Sequence, residues 1–113
     1  MNRTVRLDLS NAAAQAPVAG QVVFALAVAC GAGPLAGDRL RRSVEAAAAV
    51  ATGALAIDAV AERGSLHLAF SASPDDGWAD RALPILELHD AVRTASGLSI
   101  DVLRPSLQRA ADV

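Results

Sequence analysis

Two short runs alternate between large apolar side chains and small or polar ones, and they restrict the fold more than any other feature of the chain. Val5-Arg6-Leu7-Asp8-Leu9 and Leu66-His67-Leu68-Ala69-Phe70-Ser71 each send every second side chain to one face. A strand read this way is buried on one side and wetted on the other. An all-parallel sheet with helices on both faces has no place for it. The expected fold is therefore α/β: a two-layer sandwich with a mixed or antiparallel sheet of about four strands and the helices on a single face.

The remaining segments fill in the order β-α-α-β-β-α-β. A helix is expected from about Gln15 or Pro17 to Ala29, with Val22, Ala25, Leu26 and Ala29 on its apolar face and Gly31-Ala32-Gly33-Pro34 as its stop. Asp38 is read as the N-cap of a second helix, Arg39 to Thr52, whose apolar stripe is Leu40, Val44, Ala47, Val50 and Ala51. Leu55–Val60 and Leu66–Ser71 flank the turn Glu62-Arg63-Gly64-Ser65 as a hairpin. Ser73-Pro74-Asp75-Asp76-Gly77 is a turn. A third helix is expected over Ala79–Ser96, with Pro84 in its first turn and Leu83, Ile85, Leu86, Leu88 and Val92 buried; Leu98–Leu103 is the last strand. One domain, 1–113, is expected, with its core over 5–103 and a polar tail at 105–113.

Composition narrows the function classes. Of 113 residues, 53% are hydrophobic, 27 are Ala, and Phe24, Phe70 and Trp78 are the only aromatics, so the core must be built from small aliphatic side chains. Disorder requires the opposite balance. A net charge of −2 argues against binding nucleic acid through phosphates. One cysteine, Cys30, excludes a disulfide scaffold and fits a reducing compartment. So many apolar positions on so short a chain also favour an association surface, for another protein or a second copy.

No charged residue occurs between Asp8 and Asp38. A lipoprotein anchor ending at Cys30 is disfavoured by Asp8, by Pro17, Gly20 and Gln21 within the run, and by Ala27 where an aliphatic residue is usual. A buried helix in a cytoplasmic protein, with no membrane association, is the expectation. His67 and His89 have no companion at metal-ligand spacing, and no metal is expected. Both are read as surface or hydrogen-bonded structural residues, and Cys30 as buried packing.

The element order, with Glu45 inside the second helix and Asp75-Asp76-Gly77 after the hairpin, resembles the GHKL (histidine-kinase-like) ATPase fold. More narrowly, it resembles the anti-sigma regulatory factors, the serine kinases of bacterial partner switching. That family carries Glu-x-x-x-Asn on the second helix. Glu45 matches the Glu, which there activates the attacking hydroxyl. The position of the Asn, which there ligates magnesium, is Ala49. The family's Asp-x-Gly-x-Gly contacts adenine; Asp75 and Gly77 match it, and Ala79 stands at the last Gly. The glycine-rich lid of active members has no counterpart, because Gly77 leads almost directly into Asp80-Arg81-Ala82-Leu83.

The resemblance implies a non-enzymatic protein-binding module with an eroded nucleotide site, no cofactor, and a sigma factor or an anti-sigma antagonist as partner in bacterial transcriptional regulation. The alternatives are an active serine kinase using Mg-ATP through Glu45 and Asp75, with Asp58, Asp75 or Asp76 replacing the missing Asn, and an unrelated small α/β domain. Outside the family, Glu45 is a solvated helix residue beside Arg41 and Arg42, Asp75-Asp76-Gly77 is a turn, and Trp78 either rims a pocket or caps the core.

Overall fold

Strand β1 (Arg3–Leu9) runs antiparallel to β2 (Ala54–Glu62), with Arg6 opposite Asp58 and Leu7 opposite Ile57. A tight turn at Arg63 and Gly64 returns the chain along β3 (Ser65–Ser73), and β5 (Gly97–Leu103) pairs with the far side of β3. A two-residue strand β4 (Val92–Arg93) closes the edge, so the sheet reads β1-β2-β3-β5-β4 with every neighbour antiparallel. This is a computed structural model, and it describes residues 3–103; the tail 105–113 lies outside the described residues.

The alternation does what the sequence requires. Leu55, Ile57, Ala59 and Ala61 of β2, Leu66, Leu68 and Phe70 of β3, and Leu98, Ile100 and Val102 of β5 form one buried face. A fully buried Leu, Ile or Phe contributes about 1.5–3 kcal/mol relative to exposure. The opposite face mixes small apolar residues, such as Ala56 and Ala69, with paired polar ones. Arg6 Nη1 donates to Asp58 at 2.9 Å, and His67 Nδ1 lies 2.6 Å from Asp101 across neighbouring strands. The helices α1 (Ala16–Ala29), α2 (Pro34–Ala49) and α3 (Trp78–Leu86) cover the apolar face, which gives the expected two-layer α/β sandwich with five strands rather than four.

The departures from expectation have local causes. α2 begins at Pro34, with Gly33 as N-cap, because proline's fixed φ suits a first helical position. Asp38 is therefore a second-turn residue and not a cap. α3 starts at Trp78, so Pro84 falls in its second half, and the helix ends two residues later. A proline there removes a donor and crowds the carbonyl four residues back. The chain then makes a short 3₁₀ turn (Glu87–His89) and reverses at Asp90, which takes a left-handed φ of 58°. Val92 becomes part of β4. Leu88 and Val92 are 68% and 57% exposed rather than buried, whereas Trp78, Ala82 and Leu86 are the buried residues of α3.

The faces of α1 and α2 differ in the same way from their reading. α1 buries Ala16, Ala19, Gly20, Val23, Leu26 and Ala27, leaving Ala25 and Ala29 exposed and Val22 half-buried. The helix is apolar all round, so periodicity alone cannot select its inner face. α2, with charges on one side, buries Leu40, Val44 and Ala47 as expected, together with Ala36, Gly37 and Ala48; Val50 is half-buried beyond its end. Cys30 is buried at the end of α1, where burial pushes its thiol pKa up.

Candidate functional site

Glu45 stands on the side of α2 that meets α1. The two helices run close because glycines stand where they cross. A Cβ on Gly20 would lie 2.7 Å from the Glu45 carboxyl carbon, and one on Gly37 would lie 3.2 Å from the Phe24 ring. The Glu45 side chain thus fills a notch in α1. Its carboxylate accepts from Arg41 Nη1 at 2.9 Å, while Arg41 Nη2 donates to Asp38 at 2.6 Å and Arg42 Nε to Asp38 at 2.9 Å. The four side chains form a ladder at i,i+3 and i,i+4 spacing along one helix face. The Arg41 hydrogen bond is the main reason the Asp38 carboxyl pKa lies below its ordinary value. Only 27% of the Glu45 side chain is exposed, so the expectation of a solvated residue is corrected: it packs as well as pairs. Arg42 pairs with Asp38 and not with Glu45.

The Asp75–Trp78 turn lies at the C-terminal end of α2. Trp78 is buried against Phe70, with ring centroids 6.0 Å apart, and its indole Nε1 donates to the Ala47 carbonyl at 2.8 Å. That carbonyl belongs to the last turn of α2, where backbone acceptors lack partners within the helix. Of the two readings of Trp78, the core cap is the observed one. Gly77 is the N-cap of α3 with a φ of 91°, a region an L side chain enters only at a cost. Arg81 holds the turn from the other side. Its Nε and Nη2 donate to the Val50 carbonyl at 3.1 and 3.0 Å, and its Nη1 to the Asp76 carbonyl at 3.1 Å. Asp76 accepts from the Thr52 hydroxyl and from Arg81 Nη2, and the Thr52 bond is the main cause of its lowered pKa. Asp75 is exposed and makes no hydrogen bond among the described residues.

These residues do not converge on one cleft. Glu45 is turned toward α1, while the turn is clamped to the end of α2 about 7 Å of helix rise away. Ala49 is exposed and offers no ligand atom, and Ala79 lies in the first turn of α3. Asp58 is removed from the candidate acidic group, because it pairs with Arg6 on the open face of the sheet, opposite the helices. Asp76 is engaged by Thr52 and Arg81. Among the described residues no three His, Cys, Asp or Glu side chains are grouped to hold a metal ion. α3 begins at the residue after Gly77, so no chain lies between them to wrap a phosphate.

His67 is at the surface on β3 and faces Asp101. His89 lies on the 3₁₀ turn rather than a helix and is buried, with Nε2 3.0 Å from the Ser43 hydroxyl of α2; burial pushes its pKa below the ordinary value, opposed by Asp90. Gly20, Thr52 and Arg81 organise this region without having been singled out in the sequence. Only Gly20 carried a signal: a glycine inside a helix costs about 1 kcal/mol against alanine, so its presence marks a close approach.

The chain matches no protein-family model and no curated protein. Among the described residues no helix is long and apolar enough to cross a membrane.

Proposed function

We propose that this chain is a non-enzymatic protein-binding regulatory module, similar to an anti-sigma factor whose nucleotide site has eroded, acting in the cytoplasm of a bacterium. The observation that supports this most is the use of the two half-motifs. Glu45 fills the Gly20 notch and pairs with Arg41, and Gly77 with Trp78 turns the chain directly into α3. Both have packing duties that require no nucleotide. Loss of a metal ligand at Ala49 and of backbone donors after Gly77 removes two devices by which such sites hold phosphates. The partner is then a sigma factor or an anti-sigma antagonist, bound without phosphate transfer.

The test mixes the purified chain with the sigma factors and anti-sigma antagonists of its host, with and without Mg-ATP. The expected result is a complex that is indifferent to ATP and leaves the partner's serines unphosphorylated. Phosphorylation of a partner serine that Glu45→Ala abolishes would replace this reading with the active kinase. No complex with any of these proteins would remove the regulatory partner.

A further inference from the structure

The open face of the sheet, away from the helices, carries a hollow of about 290 Å³ at the C-terminal ends of β1 and β3. Its floor is alanine: Ala54 and Ala56 of β2 line it, and both are half-buried. Arg6 and Asp8 of β1 form one wall, and Ser71 and Ser73 of β3 form the other. The register sets its width. Asp8, Ala56 and Ser71 lie in one row across three strands. Strand spacing puts the outer two about 10 Å apart, and a hydrogen bond of about 2.8 Å on each side leaves about 4–5 Å between them. A single six-membered ring fills that width.

The polar groups around the hollow divide into held and free. Arg6 is held: its Nε donates to Asp8 at 3.2 Å and its Nη1 to Asp58 at 2.9 Å. Its Nη2 makes no hydrogen bond among the described residues. Neither do the hydroxyls of Ser71, Ser73 and Ser10, which all border the hollow. The Asp8 oxygens accept from Arg6 Nε and keep further lone pairs. Charge then selects the ligand class. One guanidinium stands between two carboxylates, so an anion meets a net negative surround and a cation meets the guanidinium. A neutral molecule that both donates and accepts meets neither penalty. Carboxylate and guanidinium each present two atoms along one edge, which suits two hydroxyls on adjacent carbons. The alanine methyls give the C–H face of a ring an apolar seat.

We propose that this hollow binds a small neutral polyol with adjacent hydroxyls, a monosaccharide or a cyclitol, with Asp8 and Arg6 taking one pair of hydroxyls and Ser71 facing them across the Ala56 floor. The site uses none of Glu45, Asp75 or Gly77, so it does not rest on the regulatory reading. The hollow is open and at the small end for ligand sites. A dissociation constant on the order of millimolar is expected.

The test is amide NMR on the isotope-labelled full chain, titrated with D-mannose or myo-inositol to about 100 mM, a range that saturates a millimolar site. Saturable shifts are expected at residues 6–10, 54–56 and 71–73. Saturation by either probe sustains the proposal, and the tighter of the two identifies the ring type. Ala56→Val fills the floor with a residue that suits a strand, and should weaken binding at least tenfold. Ser71→Ala should weaken it about fivefold, the worth of one hydrogen bond. Spectra of both variants that otherwise match the natural chain show that they fold. n-Propanol, with a single hydroxyl, should give no saturable shift. The proposal is overturned if neither probe saturates these amides, or if Ala56→Val and Ser71→Ala leave the shifts unchanged. Inorganic phosphate or n-propanol binding there more tightly than either polyol overturns it equally.

Discussion

Glu45 and the Asp75–Trp78 turn are the two halves of one resemblance, and they are built into the fold by different means. Glu45 is held by side chains: a notch at Gly20 and a ladder through Arg41 to Asp38. The turn is held by backbone geometry and an aromatic anchor: φ of 91° at Gly77, an indole bonded to the Ala47 carbonyl, and Arg81 on the Val50 carbonyl. Side-chain packing of the first kind can be exchanged locally. Geometry of the second kind sets the path of everything after it. A residue that reads as chemistry in a sequence can therefore be a wedge, and another can be a hinge post. Asp75 is neither.

The largest effect is expected at Trp78. Trp78→Ala should cost about 3–5 kcal/mol by chemical denaturation, the range for removing a large buried aromatic. Trp78→Phe keeps most of the volume but leaves the Ala47 carbonyl without the indole, and should cost about 1–3 kcal/mol. Gly77→Ala forces a Cβ into the left-handed region and should cost about 1–2 kcal/mol. Equal tolerance of all three would mean that the turn is not the anchor described.

The Glu45 half is sharpened by a sign reversal. In the natural chain Gly20→Ala must displace the Glu45 stem, and should destabilise. With Glu45→Ala in place the notch is empty, and the same change should stabilise by up to about 1 kcal/mol, because alanine is the better helix former. Stabilisation in both backgrounds would show that Glu45 does not fill the notch.

How legible the fold was depended on charge. The strands and α2 placed polar and apolar residues in separate rows, so periodicity identified Leu40, Val44 and Ala47 as well as the hairpin core. α1 has no charged residue, so its inner and outer faces look alike in the sequence although they differ in the fold. The segment after Leu86 failed for another reason. Its apolar residues kept a helical spacing, but Pro84 and the left-handed Asp90 turned them into a 3₁₀ turn and an edge strand. Of the candidate site, Glu45 and Gly77 were readable as special positions. What makes them special, Gly20 and Arg81, lies far away in sequence or follows no local rule.

A smaller, pH-dependent effect should appear at His89. Its folded pKa lies below the ordinary 6.5, so the unfolded chain takes up a proton first as pH falls. Stability due to neutral His89 is fully present above 6.5 and declines as pH drops below that value, until the folded pKa is reached. The Asp38 and Asp76 contributions have the other origin, carboxylates depressed below 3.8, and are lost only in more acidic solution. His89→Gln should flatten the fall in melting temperature as pH drops below 6.5. Asp75→Ala should have the smallest effect, within about 0.5 kcal/mol, as expected of an exposed residue without partners.

The account turns on whether any nucleotide grip remains, and isothermal calorimetry with Mg-ATP measures that directly. The predicted result is no saturable heat, or a dissociation constant weaker than about 1 mM, unchanged by Asp75→Asn. Binding in the micromolar range that Asp75→Asn abolishes would contradict it.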